Sequence, residues 1–150
     1  AYMTARRDRR DRISEACGVD DWPLPNCWLG VSCEDQATAD ERIPLLLQTP
    51  AAVRFVSAEP LLGPIVFDQQ VHLERRTKIL TGASAPRIDW VIVGGESGPK
   101  ARPCDVAWIR SIVQQCKAAA VPVFVKQDSG PRPGMRGRIP EDLWMREFPR

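Results

Sequence analysis

Four short apolar runs are the feature of this sequence that most limits its fold. Each run is rich in Val, Ile, Phe or Trp and is bounded by Pro, Gly or Asp, as strands usually are. The runs cover residues 27–33, 53–58, 89–93 and 121–125. Because their apolar residues are nearly continuous, they are typical of strands in a parallel sheet that is covered on both faces. The run starts lie 26, 36 and 32 residues apart, which suits right-handed βαβ units.

Two helices are predicted between these strands. Residues 35–48 show a capping-box pattern, Thr38-x-x-Glu41, followed by an apolar face. Pro44 is expected to kink or restart this helix. Residues 105–119 begin with an aspartate that can cap the helix, and they carry an apolar stripe with helical spacing. The sequence therefore predicts an α/β fold, a four-stranded and mainly parallel sheet with flanking helices.

The whole chain, residues 1–150, is expected to form one α/β domain. Its predicted parts, in order, are a basic helix (1–18), a βα core (27–127) and an extended tail (128–150). Residues 67–87 are polar and interrupt the core, so we interpret them as an inserted loop with a short strand at 71–73.

The composition limits the class of protein. With 43% apolar residues in 150, the chain can bury one core of ordinary size. No apolar run approaches the roughly 18 residues of a membrane span, and no secretory leader is visible, so a cytoplasmic protein without a membrane partner is expected. The net charge of +2 is too small to indicate bulk nucleic-acid binding, although the five arginines of the first helix could touch nucleic acid.

The five cysteines form no recognisable metal or disulfide pattern. They lie at irregular spacings, include no CxxC pair and have no histidine nearby. We therefore expect reduced, mostly buried thiols and no metal site. The residues are Cys17, Cys27, Cys33, Cys104 and Cys116.

One pattern repeats at the predicted strand ends. Three of the runs give way to small residues and then to a glutamate, and the fourth is followed by a lysine: Glu34, Glu59, Glu96 and Lys126. Because the carboxyl ends of parallel strands share one edge of a sheet, we expect three carboxylates and one ammonium to converge there. Any single glutamate at such a position can instead be a solvated residue at a helix start, favoured by the helix dipole.

A glycine pair follows the third run, in the loop Gly94-Gly95-Glu96-Ser97-Gly98. Two glycines after a parallel strand let backbone N–H groups approach an anion or a flat ligand. The loop matches neither the GxGxxG pattern nor a P-loop, and a tight turn toward the next helix is the alternative interpretation. Arg102 can add a cation to this edge or lie on the surface.

Long stretches of the chain closely resemble a known family. They are WLGVSCEDQATADERIPLLLQTPAAVRFVSAEPLLGPI and IDWVIVGGESGPKARPCDVAWIRSIVQQCKAAAVPVFVKQ, which span about residues 27–127, and the ending DLWMREFP. The combination of V-S-x-E, S-x-E-P-L-L-G, V-I-x-G-G-E-S-G and a late K-Q is specific. It is similar to the C-terminal half of the phage-type radical-SAM-like proteins, a family of unknown function in bacteria and prophages.

The resemblance implies half of a partial TIM-like barrel. In this family a three-cysteine motif in the N-terminal half holds a [4Fe–4S] cluster that binds S-adenosylmethionine and cleaves it to a radical. This chain has no such triplet, so the resemblance implies a fragment without a cofactor of its own, inactive alone, that pairs with the missing half or self-associates through exposed sheet edges. By position, the residues that would face cofactor or substrate are Glu34, Glu59, Gly94, Gly95, Glu96, Ser97 and Lys126.

Two other functions stay open at this point. The three strand-end glutamates could hold Mg²⁺ or Mn²⁺ in a metal-dependent hydrolase or lyase. Alternatively, the chain could be a non-enzymatic interaction module, since an open four-stranded sheet exposes edges that pair with other chains. No catalytic residue is assigned under any of the three hypotheses.

Overall fold

The computed structural model describes residues 23–67 and 86–149. Its strands are β1 (Trp28–Ser32), β2 (Val53–Ala58), β3 (Trp90–Gly94) and β4 (Val123–Gln127). Its helices are α1 (Gln36–Gln48) and α2 (Val106–Ala118), and a 3₁₀ turn covers Glu141–Leu143. None of the helices in these ranges is long and apolar enough to span a membrane.

All four strands lie parallel in one sheet, in the order β1-β2-β3-β4. Each sheet neighbour is therefore also the next strand in the chain, which is the order expected for successive right-handed βαβ units. The predicted α/β fold with a mainly parallel sheet is confirmed, and the arrangement is consistent with part of a barrel. Strand β4 lies two residues later than predicted, so Lys126 and Gln127 belong to the strand itself.

One face of the sheet packs against both helices. Two rows of aligned and fully buried side chains form this face: Val56, Val91 and Val123 in one row, Ala58, Val93 and Val125 in the other. They share one hydrophobic cluster with side chains from both helices, among them Ile43, Leu46, Ile109 and Ile112. Removing this apolar surface from water, at about 25 cal/mol per Å², stabilises the stack of sheet and helices.

An extended segment, residues 61–67, lies on the same face between the two helices. Gln115 of α2 donates to the carbonyl of Ile65 at 2.9 Å and accepts from the N–H of Phe67 at 2.7 Å. The Gln36 side chain of α1 likewise donates to the carbonyl of Val66 and accepts from its N–H. The two glutamine side chains thus satisfy backbone groups that have no partner strand.

The opposite face carries no helix within the described ranges. Side chains that alternate with the buried rows point to this face, and an aromatic cluster covers the half nearest the strand starts. Neighbouring ring centroids in the cluster lie 5.3–6.2 Å apart. Its members are Trp28, Phe55, Trp90, Phe124 and Phe148.

The C-terminal segment covers the outer edge of β4. The N–H of Val125 donates to the carbonyl of Met145 at 2.9 Å. The N–H of Glu147 donates to the carbonyl of Val123 at 3.1 Å. Arg146 forms an antiparallel bridge with Phe124 of β4. One edge of the sheet is therefore paired, whereas β1 has no partner strand on its outer side in the described part of the chain.

Two predictions about the helices differ from the structure, and one is confirmed. Pro44 lies inside a continuous α1, so the predicted restart is wrong, while the kink stays a prediction. Its position is exposed, and water can satisfy the carbonyl that the missing proline N–H leaves free. The capping box begins three residues earlier than predicted, because Asp35 accepts from the N–H of Thr38 at 2.9 Å. Asp105 caps α2 as expected, accepting from the N–H of Ala107 at 2.8 Å.

Several predicted features lie outside the described residues. They are the basic helix over 1–18, the short strand at 71–73 and nearly all of the inserted loop over 67–87. The predicted tail is described as far as residue 149, and it packs on the core through the buried side chains of Ile139 and Leu143.

The packing of α2 predicts a large effect of Ile112→Ala. Ile112 is fully buried, so this truncation should lower the free energy of unfolding by about 3 kcal/mol through lost burial and a residual cavity. Gln114→Ala, on the exposed side of the same helix, should change it by less than about 0.5 kcal/mol. Urea unfolding measures both values, and similar losses in the two variants would contradict the assigned packing.

Candidate ligand-binding rim

The C-terminal ends of the four strands form one edge of the sheet, which we call the strand-end rim. All seven residues predicted to face a ligand lie along it: Glu34, Glu59, Gly94, Gly95, Glu96, Ser97 and Lys126. The chain that leaves β2 ties neighbouring strand ends together. The N–H of Leu61 donates to the carbonyl of Gly94 at 2.9 Å, and the N–H of Leu62 donates to that of Glu34 at 2.8 Å.

Glu59 and Lys126 form an ion pair across this rim. The Lys126 ammonium lies 3.1 Å from each carboxylate oxygen of Glu59. The Glu59 side chain is only 15% exposed, whereas that of Lys126 is 49% exposed. Gly94 lies beside the carboxylate, and a Cβ atom there would be 3.3 Å from Glu59 Oε1. The glycine therefore leaves room for a pair that links β2 to β4 past β3.

Glu96 is held by Arg102 through three hydrogen bonds. Arg102 Nε and its backbone N–H donate to Glu96 Oε2 at 2.6 and 2.9 Å, and Nη2 donates to Oε1 at 3.2 Å. These bonds, the side-chain ones first, lower the pKa of Glu96 and keep it ionised. The Glu96 hydrogen bond raises the pKa of Arg102, and the nearby charge of Glu34 raises it further. Glu34 and Glu96 thus act on the same arginine.

Glu34 has its own basic partner in α1. Arg42 Nη1 lies 3.1 Å from the Glu34 carboxylate and donates to the carbonyl of Ser32 at 2.7 Å. Each of the three strand-end glutamates is therefore matched with one cation. The rim presents opposite charges side by side, which differs from the expected group of three carboxylates and a single ammonium.

The glycine pair allows a close approach between the ends of β3 and β4. The N–H of Gly95 donates to the carbonyl of Gln127 at 3.0 Å, and its carbonyl accepts from the Gln127 side chain at 2.8 Å. A Cβ atom on Gly95 would collide with the backbone of Ser129. Further along, Ser97 forms a parallel bridge with Gly130. This role in packing is observed, and contact of the pair with a ligand stays a prediction.

A buried aspartate that the sequence analysis missed anchors the loop after β4. Arg138 Nε and Nη2 donate to the two carboxylate oxygens of Asp128 at 2.9 and 2.8 Å. The backbone N–H groups of Arg138 and Ser129 add bonds at 2.8 and 2.7 Å. Burial raises the pKa of Asp128, but the hydrogen bonds from Arg138 and Ser129 outweigh burial, and the pKa is lowered.

The buried cysteines belong to the apolar core rather than to the rim. Cys33, Cys104 and Cys116 are at most 1% exposed. Burial raises the pKa of their thiols to about 11, about 11 and about 12, so they are protonated at neutral pH. Within residues 23–67 and 86–149, no three His, Cys, Asp or Glu side chains are grouped so that they could hold a metal ion.

A cleft of about 800 Å³ lies at the opposite end of the sheet. It is lined by residues from the strand starts and the end of α2, including Asp89, Lys117 and Glu147. Its carboxylates have structural partners: Asp89 accepts from the N–H of Arg54 at 2.9 Å, and Glu147 accepts from that of Val123 at 3.0 Å. Because α/β folds bind ligands at the carboxyl ends of parallel strands, we place the candidate site on the rim.

Comparison with known proteins assigns the chain to a family. The family model described as "Protein of unknown function (DUF5131)" matches residues 1–138. The chain belongs to this family. Neither the curated proteins nor the solved structures include a significant match. The matched residues contain the whole strand-end rim, and the family description assigns no reaction.

Sequence reasoning located the glutamates of the rim better than their partners. Arg102 was recognised as a candidate cation for this edge, whereas Arg42 was not singled out. Asp128 and Arg138 were also missed, because their contact depends on how the loop between them folds back. One signal was available: an aspartate directly after a strand and before Ser-Gly commonly binds backbone N–H groups.

The Asp128 contacts predict an acid-dependent loss of stability. Replacing one partner of a hydrogen-bonded buried charge with Asp128→Asn should lower the free energy of unfolding at pH 7 by about 2 kcal/mol. Since the folded-state pKa lies below the unfolded value, the carboxylate stabilises the fold above about pH 4 and this contribution disappears as the pH falls through the folded pKa. Unfolding curves of both proteins between pH 7 and pH 2.5 should therefore converge in acid.

Asp142→Asn is the matched control for this measurement. Asp142 pairs with Arg110 at 3.2 Å, and its side chain is 65% exposed, so its loss should cost less than about 0.5 kcal/mol at any pH. A difference between wild type and Asp128→Asn that stayed constant from pH 7 to pH 2.5 would show that the ionised carboxylate is not the stabilising group.

Proposed function

We propose that this chain forms one side of a radical-SAM-like barrel of the phage-type group, and that its strand-end rim binds S-adenosylmethionine or the substrate beside it. The observation that carries this proposal is the set of three glutamate–cation pairs at equivalent strand ends: Glu34 with Arg42, Glu59 with Lys126, and Glu96 with Arg102. Charged groups gathered at the carboxyl ends of parallel strands are where barrel enzymes bind their ligands.

The sheet order supports the barrel part of the proposal. A doubly wound fold reverses its strand order and places helices on both faces, whereas this sheet runs in chain order and packs both described helices on one face. The other face, which would be the barrel interior, combines the aromatic cluster with the Glu59–Lys126 pair. The outer side of β1 offers backbone groups to further barrel strands.

The mixed charge of the rim supports S-adenosylmethionine as a ligand class. This molecule carries an ammonium group, a sulfonium centre and a carboxylate within a few bonds of one another. A rim with only carboxylates would repel the carboxylate of the ligand. A rim with only cations would repel its ammonium and its sulfonium. Alternating Glu and Lys or Arg side chains provide a partner for each, with most of the pairs still reachable from solvent.

The buried thiols of the described residues do not suit an iron–sulfur cluster. Clusters are held by thiolates, and the thiols of Cys33, Cys104 and Cys116 are protonated and buried among apolar side chains. Under the proposal these three residues have no part in chemistry. A cluster would supply the electron that cleaves S-adenosylmethionine, and its ligands would come from other residues.

The proposal gives four residues of the rim a task that does not depend on the cluster. Glu59, which is the least exposed of the three glutamates, binds a cationic group of the ligand. Lys126 and Arg102 neutralise the glutamates until a ligand replaces them. The packing of Gly95 against Ser129 fixes the spacing of the β3 and β4 ends, which sets the width of the site.

Binding of S-adenosylmethionine to the purified chain tests the proposal. Isothermal titration should show saturable binding to the wild-type protein, and Glu59→Gln should weaken it about tenfold or more, because a charge-assisted hydrogen bond is lost. Circular dichroism should show the same fold for both proteins.

Glu141→Gln provides the matched control. It removes the same charge from a carboxylate that is 82% exposed, pairs with Arg136 and lies outside the rim, so binding should be unchanged. Absence of binding to the wild-type chain, or equal weakening in both variants, would refute the proposed role of the rim.

A further inference from the structure

Arg146 is held in a fixed position on the sheet face without helices. Its guanidinium carbon lies 4.5 Å from the ring centroid of Phe124 and 4.1 Å from that of Trp144. Both distances are within the range of favourable cation–π contacts. The Arg146 backbone is fixed as well, through its antiparallel bridge to Phe124 of β4. A side chain that is already ordered loses little conformational entropy when it binds a ligand.

The contacts of Arg146 leave its hydrogen-bonding edge available. Aromatic rings contact the faces of a guanidinium, whereas its N–H donors point outward in the guanidinium plane. One of them, on Nη2, lies 3.5 Å from the carbonyl of Lys126, which is a long hydrogen bond. Arg146 is exposed, so the other in-plane donors can reach a ligand.

The charge of Arg146 is not matched by a carboxylate among residues 23–67 and 86–149. This separates it from the basic residues of the rim, each of which is paired with a glutamate. It lies next to them nonetheless, because its Nη2 contacts the backbone of Lys126, whose ammonium binds Glu59. The edge of the rim beside β4 therefore carries one anchored and unmatched positive charge.

We infer that Arg146 binds an oxyanion, the phosphate or carboxylate group of the ligand that occupies the strand-end rim. Two in-plane N–H donors can bind two oxygens of such a group at once, which a lysine cannot do. The inference rests on the proposed function only in taking the strand-end rim as the place where the ligand binds. It does not depend on the identity of that ligand.

Anion titrations followed by NMR test this inference. Inorganic pyrophosphate and succinate are added separately to the chain, and the indole N–H resonance of Trp144, whose ring contacts Arg146, is followed. Pyrophosphate, succinate or both should shift it saturably, and Arg146→Gln should weaken the tighter anion about fivefold or more. Arg110→Gln removes the same charge from α2, where Arg110 is 44% exposed and pairs with Asp142, and should leave binding unchanged.

Each outcome decides a point. Tighter binding of pyrophosphate indicates a phosphate-bearing ligand, and tighter binding of succinate indicates a carboxylate. No saturable shift, or equal weakening by Arg146→Gln and Arg110→Gln, overturns the inference. Arg146→Lys, which keeps the charge and loses the planar fork, should bind with intermediate affinity and covers the case in which Arg146→Gln does not fold.

The same proteins separate this inference from the proposed function. If pyrophosphate or succinate binding depends on Arg146 while the chain does not bind S-adenosylmethionine, the oxyanion site stands and the proposed function fails. If S-adenosylmethionine binds and neither anion depends on Arg146, the proposed function stands and the oxyanion site is wrong.

Discussion

Burial of two rows of small apolar side chains against α1 and α2 determines where every other group of the sheet can lie. Val56, Val91 and Val123 are aligned across three strands, and so are Ala58, Val93 and Val125. Since strand side chains alternate between faces, burying these rows directs the intervening residues to the opposite face. A slip of one residue would exchange the valines for polar and aromatic side chains. The polar rim on that face is thus a consequence of hydrophobic packing on the other.

The parts of the structure that sequence predicts well are those with a local cause. The apolar runs gave the four strands, and Asp105 gave the start of α2, because strand propensity and helix capping act over a few residues. The predicted restart of α1 at Pro44 was wrong, since tolerance of a proline depends on which side of the helix meets water. The Glu59–Lys126 pair joins residues 67 positions apart, and only the register of the sheet brings them together.

The two classes of ion pair in this structure have different physical roles. The Asp128 side chain is 3% exposed and accepts bonds from a side chain and two backbone groups, so losing one partner leaves a buried charge and is costly. The pairs of the rim are more exposed, and such pairs contribute about 0–1 kcal/mol to stability. They cost little to open, and a charged ligand can replace either member. The ion pairs of the rim are therefore better suited to binding a ligand than to stabilising the fold.

The charge balance of the rim bears on which ligand supplies the oxyanion. The three strand-end glutamates are neutralised by their partners Arg42, Arg102 and Lys126, so Arg146 gives this group of residues an excess of one positive charge. S-adenosylmethionine is itself cationic, because its ammonium and sulfonium outweigh its carboxylate. Together they would leave two uncompensated positive charges at this edge of the sheet. A second ligand with a phosphate or carboxylate group would offset this charge, so under the proposed function the anion bound by Arg146 belongs to the substrate rather than to the cofactor.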